Sequence, residues 1–164
     1  MVGDGPERER LRRLVQQKQL TNVIFGVVPY EKTGDMYSIA CAAVATLRDL
    51  PVAKGMRLSK VFPALSCGVP VIYSGEGEAA ELLVENGCGI TTPPEDAAAL
   101  AEAMRSLAYN PTRRNALGAS GRQMVQNTYS WTTIVRKWLQ GMDRPERNPD
   151  FMQSAVKASA AAGD

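Results

Sequence analysis

Apolar residues along this chain fall into two rhythms. Val23-Ile24-Phe25, Ala42 to Leu47 and Val69 to Tyr73 are short, predominantly apolar runs without a charged residue. Runs of this length predict strands apolar on both faces, as in a parallel sheet covered by helices on each side. Met1-Val2 reads as the tail of another strand. Asn22 starts the second strand, and Gly89-Ile90-Thr91 makes the last.

Between the runs, apolar positions recur at helical spacing. Pro6 suits a first helical position, and Leu11, Leu14 and Val15 follow on one face. Tyr30 to Ala40 predicts a less regular helix. Ser59 to Cys67 predicts one that ends at Gly68 with Pro63 inside it, and Ala79 to Asn86 one that stops at Gly87. Strands alternating with single helices specify βαβ units, hence an α/β chain with a Rossmann-like, doubly wound parallel sheet.

After Pro93-Pro94 the pattern is helical only. Asp96 caps a helix with Leu100, Met104 and Leu107 inward. Asn110-Pro111 opens another, with Leu117, Met124 and Val125 inward. Ser130 caps a third, where Trp131, Ile134, Val135, Trp138 and Leu139 form a stripe. The area of an indole makes both tryptophans packing anchors rather than ligand stackers. From Gly141 onward the sequence reads as linker and tail.

Composition narrows the chemistry. The chain has 164 residues, 45% hydrophobic and 22% charged, with 19 basic against 17 acidic side chains. A mixed net charge of +2 gives no nucleic-acid footprint. There is no histidine, which removes Ser-His-Asp and Cys-His catalysis and the commonest metal ligand. Cys41, Cys67 and Cys88 lack CxxC spacing and read as buried small residues in a reducing compartment. No run approaches the roughly 20 apolar residues of a membrane helix, and MVGDGPERER lacks the apolar stretch of a signal peptide. The expected location is cytoplasmic.

Ligands of open parallel sheets bind beyond the carboxyl ends of the strands. Glycine-bearing turns gather there: Gly3-Asp4-Gly5-Pro6, Gly26-Val27-Val28-Pro29 and Ser74-Gly75-Glu76-Gly77-Glu78. Each taken singly is also explained as a tight turn. In the stretch VIYSGEGEAAELL a strand runs through glycines into a helix, an arrangement suited to phosphate. Yet Glu76 and Glu78 put carboxylates where an anion would sit.

VGDGPERERLRRLV, FGVVPYE, ALSCGVPVIYSGEGEAAELL and GCGITTPPEDAAALAEAM, in that order, resemble the nucleotide-sugar domain of group 1 glycosyltransferases. These are retaining, two-domain enzymes of GT-B fold, and the likeness runs from about residue 2 to 140. It implies a donor-binding Rossmann-like domain over 1–140, truncated at its N-terminus, and a linker or tail over 141–164. Such a domain carries at least one more βα unit before GDGPE, roughly 30 residues, and an acceptor-binding domain beside it. The chain is therefore expected to be a fragment, or else a short protein with a trimmed sheet, that alone binds donor weakly and catalyses little or nothing.

The resemblance also assigns residues. Backbone N–H groups around Ser74, Gly75 and Gly77 would hold the donor diphosphate, and Glu76 or Glu78 would accept hydrogen bonds from the sugar. The plainer reading of both acids is that they favour the positive end of a helix. Ser59-Lys60-Val61-Phe62 resembles a Ser-Lys-x-Phe segment of some relatives, making Lys60 either the phosphate cation or a solvated surface lysine. Lys54-Gly55 is a lesser candidate of the same type. Gly3, Gly5, Gly26, Val27 and Val28 would face the nucleotide. Glu81 matches an acidic position of many relatives and equally suits a helix surface. A Glu-x7-Glu pair of the family would fall on Gly55 and Pro63, neither of which offers a carboxylate. No catalytic residue is assigned, and no metal or cofactor is called for.

The implied function is the donor-binding part of a retaining, hexosyltransferase-type enzyme. It would move a sugar from a nucleoside-diphosphate sugar to a glycan or lipid-linked acceptor in cell-surface polysaccharide synthesis. Membrane association would be peripheral and through the full-length enzyme. The alternative is a non-catalytic nucleotide-binding or interaction module on the same fold. A dinucleotide-binding or flavodoxin-like domain is disfavoured, since no G-x-G-x-x-G stands on the first turn.

Overall fold

The computed structural model describes residues 1–56 and 58–142; the tail expected beyond them lies outside the described residues. Parallel strands β1 (Ala43–Thr46), β2 (Val71–Ser74) and β3 (Gly89–Thr92) form one sheet in that order. Their register sets Thr46 beside Ser74 and Ser74 beside Thr92. The helices are α1 (Arg8–Gln17), α2 (Thr33–Ser38), α3 (Pro51–Lys54), α4 (Val61–Ser66), α5 (Glu78–Glu85), α6 (Ala97–Tyr109), α7 (Pro111–Met124) and α8 (Trp131–Met142). A π-helical turn, Val125–Tyr129, joins α7 to α8. The class is the expected α/β, Rossmann-like parallel arrangement.

The alternating side chains of β2 build the core on both faces. Val71 and Tyr73 join Val61, Leu65, Leu83, Met124 and Val125 on one side. Ile72 joins Ala103 and Leu107 of α6 on the other. Every side chain of β2 is buried, and each large apolar one contributes about 1.5–3 kcal/mol.

Pro63 does not break its helix, because α4 begins at Val61 and the proline falls in the first turn. An N–H there has no intrahelical acceptor, so none is lost. Gly68, at φ +76°, ends α4 as expected. Pro6 precedes α1, which starts at Arg8. Tyr30 to Ala40 divides into a 3-10 turn, Tyr30–Lys32, and α2. The short α3, with Pro51 in its first turn, was not anticipated.

Other expectations need correction. The strands at Met1-Val2 and Asn22–Phe25 reduce to a single parallel bridge, Val2 to Gly26. Its bonds run from the Gly3 N–H to the Gly26 carbonyl and from the Gly26 N–H to the Met1 carbonyl, both 2.9 Å. In a parallel pairing this turns the polar groups of Val2 itself away from Gly26. On β1, the Ala43 and Leu47 N–H groups bond to Pro70 and Ser74 across β2, so those of Val44 and Thr46 turn outward. Val2 and Ala43 through Leu47 line a common cavity of about 690 Å³. With no strand between them, Val44 stays 47% exposed and the N-terminal pair has nothing to lengthen against.

The tryptophans are not anchors. Trp131 is 82% and Trp138 63% exposed, and Ile134, Val135 and Leu139 are open beside them. The stripe is real, yet among the described residues no element covers it. On α6, Ala103 takes the inward place expected of Met104, which is 49% exposed. Of the cysteines, Cys88 is buried, Cys67 half-buried and Cys41 exposed; all are free thiols.

Two glycines on α7 made no apolar signal but set a helix contact. A Cβ on Gly118 would lie 2.0 Å from the Gly68 carbonyl, and one on Gly121 2.6 Å from a Leu65 methyl. Gly118→Ala is therefore expected to lower stability by at least about 2 kcal/mol in urea unfolding. Burial pushes the Cys88 thiol up to about 11. The raised folded value means that its contribution is complete below the ordinary thiol range and lost as pH rises toward 11. Wild type should lose stability between about pH 9 and 11 more steeply than Cys88→Ala, measured by urea midpoints across that range.

Candidate functional site

The carboxyl end of β2 is built by close backbone contacts. The Ser74 hydroxyl donates to the Pro93 carbonyl at 3.0 Å, and the Gly75 N–H donates to the Thr92 carbonyl at 3.1 Å. The turn therefore stays tied to β3 one residue past the strand. The buried Tyr73 ring lies directly beneath Gly75, where a Cβ would be 2.6 Å from the phenol. Its hydroxyl reaches the Glu76 carbonyl at 3.4 Å, and burial raises its pKa.

Gly77 is the N-cap of α5 and lies at φ +83°, ψ −154°, a conformation nearly confined to glycine. A Cβ there would meet the Lys54 carbonyl oxygen at 2.0 Å and the Lys54 Cα at 2.5 Å. The turn thus sits on the backbone at the end of α3. Having no side chain, Gly77 cannot itself accept from the first-turn N–H groups of α5. Above this contact, Lys54 Nζ pairs with Glu76 Oε2 at 2.9 Å. That hydrogen bond and charge, with a smaller contribution from Asp49, raise the Lys54 pKa.

The residues expected to share one site separate into two groups. Ser74, Gly75, Glu76, Gly77 and Glu78 stand together at the start of α5, where Lys54 pairs with Glu76 and packs its main chain on Gly77. Lys60 instead lines the cavity of about 690 Å³ with Val2, Tyr37 and Pro63, and one of about 300 Å³ with Gly3, Gly5 and Phe25. No residue of 74–78 lines either cavity. Lys60 therefore belongs with the Gly3-to-Gly5 turn, and Ser59 is exposed beside it in sequence.

Several amides assigned to ligand are engaged within the protein. Those of Gly3 and Gly26 form the bridge, that of Gly5 donates to Asp4 Oδ1 at 2.9 Å, and that of Gly75 extends the ladder. Val27 is exposed, Val28 is half-buried, and Glu81 is exposed on α5. Gly55 and Pro63 occupy the C-cap of α3 and the first turn of α4, with no carboxylate.

Apart from Ser74, sequence reading gave no weight to the hydroxyls on the rim. Thr46, Ser74 and Thr92 stand in register across the three strand ends. Thr46 and Ser74 line a cavity of about 580 Å³ with Arg48, Asp96 and Leu100. Thr92 Oγ1 is buried without a partner. The rule that ligands gather at strand carboxyl ends was the one signal available for Thr46 and Arg48. Among the described residues there is no cluster of three potential metal ligands, and no helix long and apolar enough to cross a membrane.

The pattern of the family described as glycosyl transferases group 1 matches residues 1–124. The chain belongs to the group 1 glycosyltransferases. It is 30% identical over 155 residues to the GDP-mannose-dependent alpha-(1-6)-phosphatidylinositol monomannoside mannosyltransferase of Mycobacterium tuberculosis, covering 87% of this chain and 39% of that protein. Against the O-antigen chain mannosyltransferase C of Escherichia coli the identity is 28%, covering 85% and 37%. Sucrose-phosphate synthase from Thermosynechococcus elongatus superposes with a TM-score of 0.68 at 31% identity, covering 87% of this chain and 35% of that one. Staphylococcus aureus TarM, solved with UDP, gives a TM-score of 0.68 at 18% identity and shares the fold. This group 1 glycosyltransferase chain thus spans about two-fifths or less of these relatives and has the α/β arrangement of GT-B enzymes.

The Gly77 contact yields a contrast between glycines. Gly77→Ala should cost about 3 kcal/mol or more through backbone strain and the clash with Lys54. Gly55→Ala, with open space at its Cα, should change stability by less than about 0.5 kcal/mol in the same unfolding assay.

Proposed function

We propose that this chain is the donor-binding part of a retaining glycosyltransferase that moves a hexose from a nucleoside-diphosphate sugar to a glycan or lipid-linked acceptor. The supporting observation is the turn from β2 into α5. There Gly77 presents a helix start without a capping side chain, and a lysine stands directly beside it. Oriented N–H groups and an ammonium favour a diphosphate, both bound and as it departs. The catalysis asked of this region is electrostatic. The nucleoside would extend toward the Val27-Val28 loop and the Gly3-to-Gly5 turn.

Two relatives are named for mannosyl transfer, one of them to a phosphatidylinositol mannoside. Those names support a lipid-linked or polysaccharide acceptor of cell-surface glycans, and GDP-mannose as the first donor to try. The acceptor would be met by a further domain, so the chain alone should bind donor and transfer nothing.

A second reading has an observation of its own. Gly55 and Pro63 stand where the family pattern carries two acids, which favours a nucleotide-binding module without transfer activity. Both readings require nucleotide binding, so that is tested first. Ligand-observed NMR with GDP-mannose and with UDP- and ADP-glucose should show saturation transfer to at least one at millimolar concentration. Silence from every donor would refute donor binding by this chain. Binding without transfer, even when an acceptor domain is supplied, would select the second reading.

A further inference from the structure

The geometry points to Lys54 as the cation of the diphosphate site and to Glu76 as its counter-ion while the site is empty, released when the diphosphate arrives. This rests on the donor-binding reading above and names the charged residue that reading needs. Sequence resemblance had favoured Lys60 for the role.

Three observations carry it. First, Lys54 is held at the turn by its main chain, because Gly77 abuts its Cα and carbonyl at distances that admit no Cβ. The ammonium therefore stays within reach of the helix start whether or not Glu76 is paired with it. Second, the Lys54–Glu76 pair joins separate elements. The other ion pairs among the described residues link side chains three or four positions apart. Third, both side chains are more than half exposed. A pair standing in water is weak and open to exchange, and a diphosphate offers more charge and more acceptor oxygens than one carboxylate. Lys60 is exposed too, but the cavities it lines exclude residues 74–78.

The exchange accounts for a carboxylate in a turn suited to anions. Glu76 occupies Lys54 until a stronger anion displaces it, and its side chain, anchored only through its own backbone at Tyr73, swings into solvent. On this assignment Glu76 opposes diphosphate binding and does not hold the sugar.

The test uses the 164-residue chain and titrates inorganic pyrophosphate, GDP and UDP by calorimetry and amide NMR at low salt. Lys54→Met should weaken all three about tenfold or more, as for loss of a charged hydrogen bond. Glu76→Gln should tighten them about twofold to fivefold by removing the competitor. Lys60→Met should leave pyrophosphate within about twofold. Each substitution changes an exposed side chain, and thermal melts check that the fold is kept. If wild type binds and Lys54→Met binds equally well, or Glu76→Gln binds more weakly, the exchange is overturned while donor binding stands. A tenfold loss in Lys60→Met alone would move the cation to Lys60 and overturn it as well. If wild type binds none of the three, donor binding fails, and this inference with it.

Discussion

A strand buried on both faces must have its backbone polar groups paired on both edges, and β2 meets that requirement through β1 and β3. An unpaired N–H or C=O in that position would cost about 1–3 kcal/mol, as much as burying a large apolar side chain returns. From this obligation follow the register of the three strand ends, the layer of α4 and α5 on one side, and α6 on the other. Because the ladder continues past β2 through the Gly75 amide, the entry to α5 is fixed by the sheet rather than by the loop's own preferences. The position of Glu76 and Gly77 is in that sense a property of the core.

What could be read from sequence was what repeats. Val71 through Tyr73 and the apolar spacing in α4, α5 and α6 announced the class and most of the helices. Stops at Gly68 and Gly87 were legible because left-handed φ favours glycine. Contacts made by the absence of a side chain left no trace: Gly118 against Gly68, and Gly77 against Lys54, are invisible to hydrophobic periodicity. The α8 stripe failed in the opposite way. Trp131 and Trp138 have the spacing of a buried face, but spacing says that a face is apolar, not that anything covers it. The first two strands failed because a strand needs a neighbour as well as a propensity, and Val2 has one only at Gly26.

The candidate site shows the same division. Ser74 to Glu78 could be found from a strand meeting glycines before a helix, since that pattern is local. The grouping of Lys54 with this turn, and of Lys60 with Gly3 and Gly5, depends on how α3 and α4 fold back over the sheet, and a motif match was silent on it. Gly26 and Gly75 were chosen for backbone freedom, yet their amides serve the sheet. A glycine's permissiveness shows where a chain can bend, not where its N–H will point.

The Gly77 turn has a kinetic corollary. With φ held in a glycine-only region and main chain pressed against main chain, the segment has almost no alternative conformations to lose. Its ordering entropy is settled when the domain folds, so a diphosphate bound there as proposed would meet a preorganised receptor. Association there should be governed by diffusion and shedding of water, with residence time set by how firmly the charges are held.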